Sequence, residues 1–115
     1  MISERQPGKV MRLHLSEGDE YQGKPLYEAI INKCLELDVS GTTVLRGIEG
    51  FGESLEMHRS GLLNHDRPVV IQIVETAEKV ESILPELQHM LGNGMIAVSD
   101  VELLRVEKIS GPATP

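Results

Sequence analysis

The chain has 115 residues, enough for one compact domain with one core. Apolar residues make up 40% and charged residues 25%, but the aromatics are only Tyr21, Tyr27 and Phe51, so the core must be aliphatic. The formal charge is −7 with no Lys/Arg cluster, which argues against the basic patch and stacking platform of a nucleic-acid binder.

Lys9 to Ser16 alternates, with Met11, Leu13 and Leu15 on one side and Val10, Arg12 and His14 on the other. Period two predicts a half-buried strand. Glu17 to Lys24 is polar and reads as a loop. Pro25 to Val39 has a helical period: Leu26, Ile30 and Cys34 recur every four residues, as do Tyr27, Ile31 and Leu35. Pro25 suits the first helical position, and Ser40-Gly41 closes the helix. Thr42 to Ile48 predicts a second strand. Residues 49–66 then form a connection long enough to suggest a functional loop.

Arg67 to Glu75 predicts a third strand, apolar on both faces and therefore central. Thr76 to Leu91 predicts a second helix with Val80, Ile83, Leu84, Leu87 and Leu91 on one face. Pro85 inside it predicts a kink or a break. Gly92-Asn93-Gly94 ends the helix. Met95 to Val98 is a strand, and Val101 to Ile109 either continues it or follows a bend at Ser99-Asp100. Residues 110–115 form a tail.

The order is β-α-β-loop-β-α-β, over one domain with its core between about residues 9 and 109. Two such halves predict an α+β, ferredoxin-like βαββαβ sandwich: a four-stranded antiparallel sheet with both helices on one face. The expected core is Met11, Leu13 and Leu15 under Leu26, Ile30, Cys34, Val80, Leu84 and Leu87. Val10, Arg12, His14, Val44, Arg46, Val70, Gln72 and Val74 are expected on the other face. That mixture suits subunit contact. The single cysteine, Cys34, reads as a buried hydrophobe. No stretch is long and apolar enough to insert in a membrane, and the first eight residues lack an apolar signal core, so the expected location is the cytoplasm.

Several segments carry a resemblance. Lys24-Pro25-Leu26-Tyr27-Glu28-Ala29-Ile30, then Gly41-Thr42-Thr43-Val44-Leu45-Arg46-Gly47-Ile48-Glu49-Gly50-Phe51-Gly52, the His58 region and Arg67-Pro68-Val69-Val70-Ile71 resemble the PII-like family catalogued as domain of unknown function 190. The similarity runs from about Lys9 to Lys108. The chain is also similar to the PII signalling proteins, which carry a Gly-Phe-Gly at the base of an effector loop, as at Gly50-Phe51-Gly52. They carry a glycine turn before the last strand, as at Gly92-Asn93-Gly94. The resemblance implies a homotrimer that binds adenine nucleotides in clefts between subunits.

On that resemblance the candidate ligand residues are Gly41, Thr42, Thr43, Arg46, Gly50, Phe51, Gly52, Gly92, Asn93, Gly94 and Arg105. Backbone N–H groups at Gly92-Asn93-Gly94 are candidates for an anion nest, against the plainer reading of a helix cap. Gly41-Thr42-Thr43 offers hydroxyl and backbone donors from an adjacent subunit. Arg105 resembles a phosphate contact, against a solvated surface arginine. This chain departs from PII at four points: Met95 replaces a lysine, Glu107 replaces a basic residue, Ser54 replaces a glutamine that helps hold a magnesium–oxoacid complex, and residues 49–66 contain no tyrosine for the PII uridylylation site. Fewer phosphates, or a different small ligand, suit it better.

The leading reading is a regulatory binding protein, not an enzyme, with no required cofactor and an adenine nucleotide as ligand. It would act through residues 49–66 on a membrane-protein or enzyme target. No nucleophile–base–orienter set can be read from the sequence. One alternative is a divalent-metal-handling trimer using His58 and His65, by fold analogy with the divalent-cation-tolerance proteins. The other is a trimeric interaction module without a ligand.

Overall fold

The structure, a computed structural model, describes residues 5–47 and 67–106. Its elements run β1 (Arg5–Ser16), β2 (Glu20–Tyr21), β3 (Lys24–Pro25), α1 (Leu26–Glu36), β4 (Gly41–Arg46), β5 (Pro68–Thr76), α2 (Ala77–Leu91) and β6 (Met95–Leu104). The main sheet is antiparallel in the order β4-β5-β1-β6, so β5 is central as its two apolar faces predict. This is the α+β, ferredoxin-like arrangement, with both helices on one face.

Directly paired residues share a face. Met11, Leu13 and Leu15 pair with Ile73, Ile71 and Val69, and all six are buried. Leu26, Ile30 and Cys34 of α1 and Val80, Ile83, Leu87, Met90 and Leu91 of α2 cover them. Leu84 is only partly buried, and Met90 takes the fuller core position. Each buried aliphatic side chain contributes about 1.5–3 kcal/mol.

The register corrects one face assignment. Thr42, Val44 and Arg46 pair with the core residues Ile73, Ile71 and Val69, so they lie on the helix side. Gly41, Thr43 and Leu45 pair with Val74, Gln72 and Val70, and these lie on the open face. Val44 and Arg46 therefore do not belong to the open face. A strand apolar at both Val44 and Leu45 leaves the phase of its alternation open, and only the pairing decides it.

Other boundaries moved for local reasons. β1 begins at Arg5 rather than Lys9; residues 5–7 pair with β6 alone, and a stretch with one unpaired side accommodates Pro7. The stretch read as a loop contains the β2–β3 hairpin, turned by Gln22 (φ 51) and Gly23 (φ 79), the two positive φ values of a type I′ turn. Two-residue strands show no alternation, and Gln is not the usual first turn residue. Pro25 is the residue before α1 rather than its first. Helix α1 ends earlier than Val39, because Asp38 takes the left-handed conformation (φ 58). The N–H groups of Asp38 and Val39 then bond the carbonyls of Leu35 (3.1 Å) and Cys34 (3.0 Å), the paired bonds of a Schellman cap.

Pro85 breaks nothing: α2 is one helix from Ala77 to Leu91. Pro85 is exposed, and buried residues on both sides of it hold the two halves on the same core. β6 is continuous through Ser99-Asp100 and pairs with β1 along its whole length.

Candidate functional site

The described candidate residues fall in three places. Gly41, Thr42, Thr43 and Arg46 are on β4, one edge of the sheet. Gly92, Asn93 and Gly94 form the turn that starts β6, the other edge. Three interstrand spacings separate those edges, roughly 14 Å. Arg105 follows Leu104 at the far end of β6, and ten residues of strand put it roughly 33 Å from Met95. One chain does not bring the three together. Gly50, Phe51, Gly52, His58 and His65 lie outside the described residues.

On β4 the register separates two threonines that look alike in the sequence. Thr42 turns inward, toward the Cys34 thiol. Burial pushes that thiol's pKa up, and the Thr42 contact only partly offsets it. Thr43 lies exposed on the open face, opposite Gln72. Arg46 is already engaged: its Nη2 lies 2.8 Å from Glu17 Oε2.

That ion pair belongs to a neck where the ends of β1, β4 and β5 meet. The Glu17 N–H donates to the Arg67 carbonyl (2.8 Å), and the Gly47 N–H donates to the Pro68 carbonyl (2.7 Å). A Cβ on Gly47 would sit 2.6 Å from Pro68 Cγ, so glycine is required for this approach. Glu17 Oε1 and Arg67 Nε are buried there without hydrogen-bond partners among the described residues.

The Gly92-Asn93-Gly94 turn is shaped by packing. The Gly92 N–H donates to the Gln88 carbonyl (3.2 Å) and closes α2. Gly92 has φ 68 and ψ −104, outside the left-handed helical well of an αR–αL nest. Gly94, at φ 140, passes close to β1: a Cβ there would sit 3.1 Å from the His14 carbonyl oxygen.

At the other end of the sheet stands a residue that the motif reading missed. Glu75 is the buried charged side chain among the described residues. Its Oε2 accepts from the Ser40 N–H at 2.6 Å, and its Oε1 accepts from its neighbour Thr76 at 3.0 Å. Burial pushes the carboxyl's pKa up, but these N–H groups and Lys79 outweigh it and hold the group below its ordinary value. Lys79 Nζ donates to the Asp38 carbonyl (3.2 Å), and Thr76 Oγ1 caps α2 by accepting from the Lys79 N–H (3.2 Å). The signal for Glu75 was legible: it continues the buried phase Val69, Ile71, Ile73. Glu17 carried no such signal.

Among the described residues no three His, Cys, Asp or Glu side chains come together to hold a metal. No helix among them is long and apolar enough to cross a membrane.

The comparisons with known proteins agree with this architecture. The family model DUF190, described as "Uncharacterized ACR, COG1993", matches residues 8–103. A UPF0166 protein of Aquifex aeolicus (strain VF5) is 34% identical over 98 residues, covering 84% of this chain and 92% of the relative. A UPF0166 protein of Methanocaldococcus jannaschii is 30% identical over 104 residues, covering 86% and 94%. Among solved structures, CPII from Thiomonas intermedia K12, a nitrogen regulatory PII-like protein bound to ADP, AMP and bicarbonate, superposes with a TM-score of 0.68. It shares 20% identity over 89% of this chain and 92% of its own. The apo form of CPII gives 0.62 at 18% identity, over 91% and 100%. At such identities the likeness is one of fold. With most of its length matched by the family model, the chain belongs to the DUF190 family and has the fold of the PII-like proteins.

Proposed function

We propose that this protein is a PII-like regulatory protein that binds an adenine nucleotide at clefts between the subunits of a homotrimer. One observation carries the reading: the candidate ligand segments occupy opposite edges of one sheet. Arg46 and the Gly92–Gly94 turn nevertheless lie at the same end of it, since Arg46 is level with Leu15 through Val69, and Met95 pairs with His14. A head-to-tail contact that sets β4 of one copy beside β6 of the next brings them together. Such a contact closes into a ring when its rotation permits.

Exposed apolar side chains on both edges favour that contact, with Val44 and Leu45 on β4 and Met95 and Val98 on β6. The ligand class follows from likeness: CPII, of the same fold, is a nitrogen regulatory PII-like protein bound to ADP and AMP. Arg105, at the far end of β6, would meet the same nucleotide only from a different copy than the Gly92–Gly94 turn. The role is binding rather than catalysis, with residues 49–66 acting on a protein target.

Sedimentation equilibrium and ADP calorimetry on the purified chain test the reading. A trimer that binds ADP supports it. A monomer, or a trimer that binds neither ADP nor AMP, removes it.

A further inference from the structure

The proposed cleft uses Gly41, Thr42 and Thr43, yet nothing local explains why this segment holds one conformation. It starts an edge strand, and edge-strand ends fray. What precedes it is the short connection from α1, residues Leu37 to Ser40, with Asp38 at positive φ. Two side chains fasten that connection, and both come from the β5–α2 junction. Glu75 takes the Ser40 N–H on one carboxylate oxygen, and Lys79 takes the Asp38 carbonyl on its ammonium.

The two fasteners are themselves fixed. The other oxygen of Glu75 holds the Thr76 N–H, and the Thr76 hydroxyl caps the N–H of Lys79. Glu75 is 6% exposed, a position where a carboxylate is costly unless it is hydrogen-bonded. An apolar residue would extend the buried face of β5 without that cost. A carboxylate there does what an apolar residue cannot: it receives the Ser40 N–H of the connection while its other oxygen holds the N–H of its own neighbour Thr76.

We infer that Glu75 and Lys79 are positioning residues for the ligand site, fixing the backbone before Gly41 so that Gly41-Thr42-Thr43 is presented ready-formed. This rests on the reading of that segment as part of the nucleotide cleft. The physical gain is pre-organisation: a segment already ordered in the free protein does not have to be ordered on binding.

The test compares full-length trimers. In Glu75→Gln the amide keeps one acceptor and turns its NH2 toward a backbone donor, so one N–H is released. The expected results are faster exchange of the Ser40 amide proton by NMR and a Kd for ADP raised about tenfold, the size of one lost hydrogen bond to a charged group. Ile83→Val serves as the control: it trims the buried core without removing either fastener, and should lower Tm while leaving the Kd unchanged. Lys79→Met covers the case in which Glu75→Gln folds poorly. It releases the Asp38 tether while keeping both Glu75 hydrogen bonds, and should raise the Kd about threefold. Freed Ser40 exchange with an unchanged Kd would overturn the positioning role and leave the cleft intact. Absence of ADP binding by the unsubstituted trimer would overturn the cleft and the role together.

Discussion

Leu103 lies directly over Gly8 on the open face of the sheet. A Cβ added to Gly8 would meet Leu103 Cγ and stand 2.7 Å from its Cδ1 and 2.9 Å from its Cδ2. The whole leucine side chain must therefore move to admit even a methyl group. Gly8→Ala should cost about 1–3 kcal/mol by overpacking. Urea denaturation measures it, and Leu103→Ala in the same chain should recover part of the loss through non-additivity.

The Arg46–Glu17 pair gives a second prediction. Among the described residues Glu17 Oε1 already lacks a partner, and Arg46→Ala removes the 2.8 Å contact to Oε2 as well. The expected cost is about 1–2 kcal/mol, with the half-exposed guanidinium limiting it. Glu17→Gln should make Arg46→Ala nearly neutral. Equal costs of Arg46→Ala in both backgrounds would show that the pair contributes nothing.

Glu75 predicts an acid-sensitive stability. Its folded pKa lies below the ordinary value, so on acidification the unfolded chain takes up the proton first. The stability it contributes is complete above the unfolded pKa and is lost as pH falls toward and through the folded one. Urea midpoints should therefore differ between the unsubstituted chain and Glu75→Gln most at about pH 7, and least at about pH 3. A gap that stays constant with pH would rule out this linkage.

Cys34 should be inert in the native protein. Burial raises its thiol pKa and withholds the thiolate that alkylating reagents need. Iodoacetamide should modify it only in denaturant, at a rate set by opening. Rapid native labelling would contradict the burial of Cys34 in the core.

The two threonines of β4 should separate by function. Thr43→Val removes the exposed hydroxyl and should raise the Kd for ADP several-fold with little change in Tm. Thr42→Val removes the inward hydroxyl that faces Cys34 and should change stability more than it changes the Kd, by up to about 1 kcal/mol. Calorimetry and thermal unfolding on both variants check the split. The reverse pattern would mean that the register assigned to β4 is wrong.

Much of this fold was written in local pattern. The alternation of Met11, Leu13 and Leu15, the run from Val69 to Val74 and the four-residue spacing of Leu26, Ile30 and Cys34 each commit a segment to one periodicity and one buried face. Two β-α-β halves then leave few topologies, because crossovers are right-handed and loops are short. The candidate ligand residues were suggested only by family likeness. A glycine turn or a threonine pair has the same local chemistry in a cap, a hairpin or a binding site.

Tertiary structure decided what depends on pairing. Arg46 went to the helix side and found Glu17 because the β4–β5 register put it opposite Val69. Neighbouring apolar residues at Val44 and Leu45 left both phases open to the sequence. Pro85 stayed within one helix because buried residues on either side bind both halves to the same core, which a local propensity cannot express. The separation of Gly41–Arg46 from Gly92–Gly94 by the full width of the sheet follows from strand order alone. The residues were readable one by one. The distances between them belong to contacts made far apart in the chain, and those set which can share a ligand within one subunit.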